Sequence, residues 1–311
     1  MSKVRVCFFG TPEFATVALK GLLQDEHFEV VGVVTQPDRP SGRKLQLNPS
    51  PVKSLALSHN LKVLAPESLK NNGMIVDAIK SWGAEVGVVV AFGQILTESF
   101  LESFHFGCVN IHGSLLPRWR GAAPIQRAIE AGEAITGVTL QKIVKRLDAG
   151  DMIGARRLEI TPEMNAQEVH DQLAVLGADM LRVELMDYVR GNLAPQPQDE
   201  TLVNYAKKID KLESFIDWQQ PALKIHNKVR AFVMGPGTYM ILKDKKIKIH
   251  KTRLLEEQNS KAHDSKKPGD MIVENNQLFI KTGEGLLQLL EVQPESRNRL
   301  SAEEFLKGYQ A

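Results

Sequence analysis

The chain has 311 residues, long for one hydrophobic core, so length alone suggests two domains. Hydrophobic residues make up 43% and charged residues 24%, an ordinary globular composition, and no apolar run is long enough for a membrane-spanning helix. The net charge of +2 hides an asymmetry: residues 205–311 carry 19 Lys and Arg against 14 Asp and Glu, whereas residues 1–204 carry 20 against 23, so the last third is the part suited to a polyanion.

The chain opens as M-S-K-V-R-V-C-F-F-G and passes straight into a strand-like run over 4–9, with no cleavage site of a secreted leader. Thr11-Pro12-Glu13 then supplies a cap, a first-turn proline and an early acid, so a helix follows. This strand–glycine–helix layout lacks the G-x-G-x-x-G of a dinucleotide site, and Pro12 removes an N–H such a site needs; no nicotinamide or flavin is expected. Cys7 and Cys108 sit in apolar strand patterns and read as core thiols, which fits a reducing cytoplasm. His and Cys lack metal-ligand spacing, so no metal is expected.

A β-branched run over 28–35 predicts a second strand. The connection over 36–53 is too long for a routine strand-to-helix loop, and Arg39, Arg43 and Lys44 stand there among Pro37, Pro40 and Gly42. Helices are predicted over 51–58 and 72–82, then a strand over 85–91 (E-V-G-V-V-V-A). A short helical stretch near 97–104 precedes a strand over 107–112. Alternating units of this kind imply a parallel sheet covered on both faces, with ligands at the carboxyl ends of its strands.

The segment V-N-I-H-G-S-L-L-P begins at Val109, in that last strand. Alternation points Asn110 and His112 to one face, where an amide and an imidazole can donate to one developing negative oxygen. Downstream, Leu147-Asp148-Ala149-Gly150-Asp151 places a carboxylate on a glycine-containing turn, able to pair with a protonated imidazole. The three groups suggest acyl or formyl transfer.

Residues 165–190 read as one long helix, with Asn165 and Glu168 spaced as a capping box. Residues 191–204, with Pro195 and Pro197, read as a linker. Beyond it come short strand-like runs over 238–242, 246–250, 271–274, 277–282 and 286–292, with a helix over 224–233, a pattern of a small barrel or sandwich. Lys207 and Lys208 open this region, and alternation sets Lys246, Lys248 and His250 on one face.

V-N-I-H-G-S-L-L-P-R-W-R-G-A-A-P-I-Q is similar to the core motif of the folate-dependent formyltransferases, and the resemblance extends from F-F-G-T-P-E-F-A to the basic last third. It implies an α/β fold: a Rossmann-like formyltransferase domain with a mostly parallel sheet over 1–190, a linker over 191–206, and an OB-like β-barrel that binds tRNA over 207–311. It implies Asn110, His112 and Asp148 as catalytic residues, and Ser114, Leu115, Leu116 and Pro117 as the folate-binding turn, with Phe92 and Gly93 forming the other pterin wall. It assigns the insertion with Arg39, Arg43 and Lys44, together with Lys207, Lys208, Lys246 and Lys248, to tRNA contact. The implied reaction moves formyl from 10-formyltetrahydrofolate to the α-amine of methionyl-initiator tRNA, with a monomer expected. Formylation of a small amine, such as a glycinamide ribonucleotide or an amino sugar nucleotide, and hydrolysis of the folate donor are the rival readings. An RNA- or folate-binding module without chemistry is the non-enzymatic one.

Overall fold

The computed structural model describes residues 2–41, 46–70, 72–255 and 265–308. From its start the chain runs β1 (Val4–Gly10), α1 (Glu13–Gln24), β2 (Phe28–Val34), β3 (Arg39–Ser41), β4 (Gln46–Asn48), α2 (Pro51–Ser58), β5 (Val63–Leu64) and α3 (Gly73–Ser81). It continues through β6 (Val86–Val90), α4 (Glu98–Leu101), β7 (Cys108–His112), β8 (Arg120–Gly121), α5 (Pro124–Glu130), β9 (Ile135–Lys142) and β10 (Met152–Glu159). A helix follows in three joined parts: α6 (Ala166–Met180), a π-helical turn over Leu181–Leu185, and α7 (Met186–Val189). The last third holds β11 (Tyr205–Ala206), α8 (Ala222–Ala231), β12 (Thr238–Leu242), β13 (Lys245–Leu254), β14 (Met271–Glu274), β15 (Gln277–Lys281), β16 (Leu286–Pro294), β17 (Leu300–Ser301) and α9 (Ala302–Gly308).

Two compact units result. The first comprises residues 1–121, 137–158 and 170–205, and the second residues 122–136, 159–169 and 206–311. In the first, seven strands hydrogen-bond in the order β10-β9-β7-β6-β1-β2-β5. The pairs β1–β2, β1–β6, β2–β5 and β6–β7 are parallel, while β9 joins β7 antiparallel. The chain winds outward from β1 to β5, then returns to lay β6 on the other side of β1, creating the strand-order reversal at which such sheets bind ligands. All five residues of β6 are buried, as expected of a strand covered on both faces. Burial also pushes the Cys7 and Cys108 thiols upward, so both stay protonated core groups.

In the second unit, β12-β13-β16-β15-β14 form an antiparallel ladder, with β17 paired to β16. Ile247 and Ile249 of β13 turn into a core with Ile225 and Val229 of α8 and Leu287 and Leu289 of β16, while Lys246 and Lys248, which alternate with them, are exposed. Arg127 of α5 grips Glu213 with two bonds of 2.7 and 2.8 Å, holding the carboxyl below its ordinary range.

Several elements differ from the sequence expectation. The connection over 36–53 contains a short antiparallel pair, Arg39 opposite Asn48 and Pro40 opposite Leu47. Strands β9 and β10 carry no expectation from sequence: β10 interrupts its apolar pattern with Gly154 and the neighbouring Arg156 and Arg157, and Arg156 is used in a two-bond pair with Glu184. The long helix does start at the Asn165–Glu168 capping box, but it changes to a π turn at Leu181 and ends at Val189. Residues 191–204 do not form a free linker. Gln196 exchanges two backbone bonds of 2.8 Å with Met152, and the Gln198 side chain is buried within the first unit. Proline-fixed extended backbone serves an edge strap as well as a spacer, which is why composition misread it.

Candidate active site

Strand β7 buries Val109 and Ile111 and turns Asn110 and His112 together toward its other face. Asn110 is half-buried and His112 is 6% exposed. The antiparallel register places Gln141 of β9 directly opposite Asn110, and Thr139 opposite His112. Directly opposed residues share a face, so four polar side chains converge there.

The His112 ring is fixed from one side. Its Nε2 lies 2.9 Å from the Trp119 carbonyl, and a carbonyl only accepts, so Nε2 carries the hydrogen. Nδ1 faces the Asp148 carboxylate, with Oδ1 at 3.7 Å. That spacing is an ion pair when the ring is charged, and too long for a direct hydrogen bond.

Asp148 sits on the turn between β9 and β10 with φ at +48°, a left-handed conformation that Asp tolerates better than most side chains. Its Oδ2 accepts from the Gly121 N–H at 2.8 Å, and its Oδ1 accepts from Gln141 Nε2 at 3.2 Å. Two donors thus hold the carboxylate, leaving it 14% exposed beside the imidazole. Asn110, His112 and Asp148 all belong to this end of the sheet, at the carboxyl end of β7 and the adjoining turn.

The other expected residues divide. Ser114 is fully buried and its hydroxyl donates to the Arg118 carbonyl at 2.6 Å, closing its own turn. Thr139 braces that turn, donating to the Ser114 carbonyl at 2.7 Å and accepting the Leu116 N–H at 3.1 Å. Leu116 and Pro117 are buried, and Leu115 is half-buried. Phe92 is 2% exposed and its ring packs edge-on to Phe9 in the core. Its carbonyl accepts from Thr11 Oγ1 and Gln36 Nε2, while Gly93 next to it is exposed at φ +81°.

Among the candidate RNA-facing cations, Arg39 is exposed and paired with Glu67 at 2.8 Å. Arg43 and Lys44 lie outside the described residues. Lys207, Lys208, Lys246 and Lys248 are exposed in the second unit, and the Lys246 ammonium lies 3.9 Å from the centroid of the Tyr239 ring. Sequence reasoning missed Gln141, Thr139, Arg120 and Gln198. The first two had a signal, polar alternation with Val138 and Leu140 in β9; the latter two had none. Among the described residues no cluster of three or more His, Cys, Asp or Glu could hold a metal, and no helix is long and apolar enough to cross a membrane.

Comparison with known proteins finds two matching families. Residues 2–183 match the family described as "Formyl transferase", and residues 208–310 match "Formyl transferase, C-terminal domain". A methionyl-tRNA formyltransferase of Bdellovibrio bacteriovorus is 66% identical over 310 residues, covering 99% of this chain and 97% of that protein. One from Caldanaerobacter subterraneus subsp. tengcongensis is 41% identical over 306 residues, covering 98% and 97%. Among solved structures, an N-formyltransferase from Helicobacter canadensis, bound to folinic acid and dTDP-3-aminofucose, superposes with a TM-score of 0.67 at 18% identity, covering 94% of this chain and 99% of that one. HypX from Aquifex aeolicus in complex with tetrahydrofolic acid gives 0.66 at 18% identity, covering 98% of this chain, which spans 47% of that longer one. The two structures speak for the fold; with the matched domains and the near full-length identity, the chain belongs to the formyl transferase family.

Proposed function

We propose that this chain transfers the formyl group of 10-formyltetrahydrofolate to the α-amine of methionyl-initiator tRNA, the step that prepares that tRNA for translation initiation. The observation that carries the reading is the approach of His112 to Asp148 beside Asn110, in a chain 66% identical end to end to a methionyl-tRNA formyltransferase.

The amine nitrogen attacks the formyl carbon, and the carbonyl oxygen takes up negative charge. Asn110 donates its amide N–H to that oxygen. Because Nε2–H of His112 is committed to the Trp119 carbonyl, Nδ1 is the ring atom that offers a second N–H and gives up a proton. Asp148 pairs with the charged ring from 3.7 Å. As the bond to N10 of the folate breaks, the proton released by the amine is balanced by one delivered to N10. Fixed donors aimed at a developing oxyanion each contribute roughly 10²–10³ in rate. No metal and no nicotinamide takes part.

In this reading the turn of Ser114, Leu115, Leu116 and Pro117 and the residues Phe92 and Gly93 meet the folate, with Leu115 half-buried and Gly93 exposed. The segment with Arg39, Arg43 and Lys44 would meet the tRNA acceptor end, and Lys207, Lys208, Lys246 and Lys248 its phosphates, as cations along a backbone do. A charged-tRNA substrate places the reaction in the cytoplasm, and a monomer suffices for it. One assay tests the proposal: labelled 10-formyltetrahydrofolate offered methionyl-tRNA, an amino sugar nucleotide, or water as acceptor. Label must appear on methionyl-tRNA; preference for the sugar nucleotide or water would overturn it.

A further inference from the structure

Arg120 is 0% exposed, yet carries a permanent charge. Its carboxylate partner Glu200 lies at 2.9 Å with a side chain 56% exposed, and Nη1 of Arg120 makes no hydrogen bond among the described residues. A guanidinium buried on those terms is a poor stabilising device, since an apolar residue of similar volume often serves stability as well or better. What it does is visible in its bonds to Gln198.

Nε and Nη2 of Arg120 both donate to Oε1 of Gln198, at 3.0 and 2.7 Å. This fork forces the Gln198 amide to turn its oxygen toward Arg120 and its nitrogen away. The far side agrees: Nε2 of Gln198 donates to the backbone carbonyls of Asp148 at 2.9 Å and Gly150 at 2.7 Å. Carbonyls accept only, so the orientation is determined from both ends. The same nitrogen lies 3.3 Å from Oε1 of Gln141, which turns the Gln141 nitrogen toward Oδ1 of Asp148.

We propose that Arg120 and Gln198 are positioning residues: an orienting relay that sets the Gln141 amide and the Asp148 turn, and so the carboxylate that faces Nδ1 of His112. The inference rests on the reading of Asp148 as the partner of His112. Neither relay residue has to touch substrate. Replacing Gln198 by Glu keeps the bond to Arg120 but sets a second oxygen against three acceptors. Gln141 must then reverse its amide and present oxygen to oxygen at Asp148. Misplacement of a reacting group by about 1 Å can cost on the order of 10²-fold in rate.

The test compares Gln198→Glu, Gln141→Leu and Asp148→Asn in the full-length protein, measuring kcat, both KM values, the pH profile of kcat and thermal stability. The relay predicts that Gln198→Glu lowers kcat by about 10–100-fold, the size of typical supporting-residue effects, with both KM values within about threefold. The acid limb of its pH profile must also move. Gln141→Leu, which buries no new charge, must move the same limb, and the double variant must be no slower than the slower single one, because both act through one carboxylate. A wild-type kcat and pH profile in folded Gln198→Glu or Gln141→Leu, while Asp148→Asn is slow, overturns the relay. So does a loss confined to KM or thermal stability with the profile unmoved. Should Asp148→Asn itself keep wild-type kcat, the underlying reading falls, and the relay with it.

Discussion

The Cα of Gly150 packs so closely on Lys142 that a β-carbon there would stand 1.8 Å from the Lys142 carbonyl oxygen. That oxygen is backbone and cannot swing aside. The contact closes the turn that presents Asp148, together with the bond of 2.9 Å from the Lys142 N–H to the Asp151 carbonyl. Gly150→Ala must therefore open the turn. The expected outcome is a loss of about 1–3 kcal/mol of stability, typical of an overpacked site, with turnover falling much further than either KM. A variant with native turnover would show that the turn does not aim the carboxylate.

The second unit carries a pH dependence of its own. His226 donates from Nε2 to the Pro162 carbonyl at 3.1 Å, so in the neutral ring Nδ1 accepts from the Thr252 hydroxyl at 2.8 Å. Burial lowers its proton affinity below the ordinary value of 6.5, nearby Arg230 adds to this, and Glu163 and the Pro162 bond oppose it. Below pH 6.5 the unfolded chain binds a proton that the folded unit resists, so stability is full above that pH and falls as pH drops toward the folded-state value. Amide exchange of α8 should accelerate on acidification from pH 7.5 to about 5.5, and less so in His226→Gln compared at each pH. Equal acceleration in both proteins would assign the effect elsewhere, His250 being the other lowered histidine of that unit.

Lys246 and Lys248 stand on the exposed face of β13, separated by the buried Ile247. If each neutralises an RNA phosphate, Lys246→Ala and Lys248→Ala should each weaken tRNA binding and shallow the plot of log affinity against log salt by roughly 0.7–0.9. Turnover at saturating tRNA should stay within about twofold. An unchanged slope in titrations over a range of salt would remove both lysines from the interface.

How much of this was legible in the sequence depends on where each residue's partner lies. Asn110 and His112 could be read because strand alternation alone sets them on one face, and Asp148 because L-D-A-G-D announces a turn. The strands of the second unit were equally readable, since Ile247 and Ile249 alternate with lysines against solvent. Strand β10 was hidden: it ends the sheet, and edge strands carry charge to avoid mispairing. Gln198 was hidden more deeply. In P-Q-P-Q-D-E it is one polar residue among prolines, and its use depends on an arginine and a turn that only the tertiary fold brings to it. The burial of the Phe92 ring was hidden as well, because only the tertiary fold brings it edge-on to Phe9.

In the proposed reaction the Asp148 carboxylate acts through the His112 ring. Single-turnover formyl transfer by Asp148→Asn, with 10-formyltetrahydrofolate and methionyl-tRNA both saturating, measures that dependence. The predicted result is a chemical step slower by roughly 10²–10³, with tRNA affinity within about twofold of wild type. A step within about twofold of wild type would contradict it.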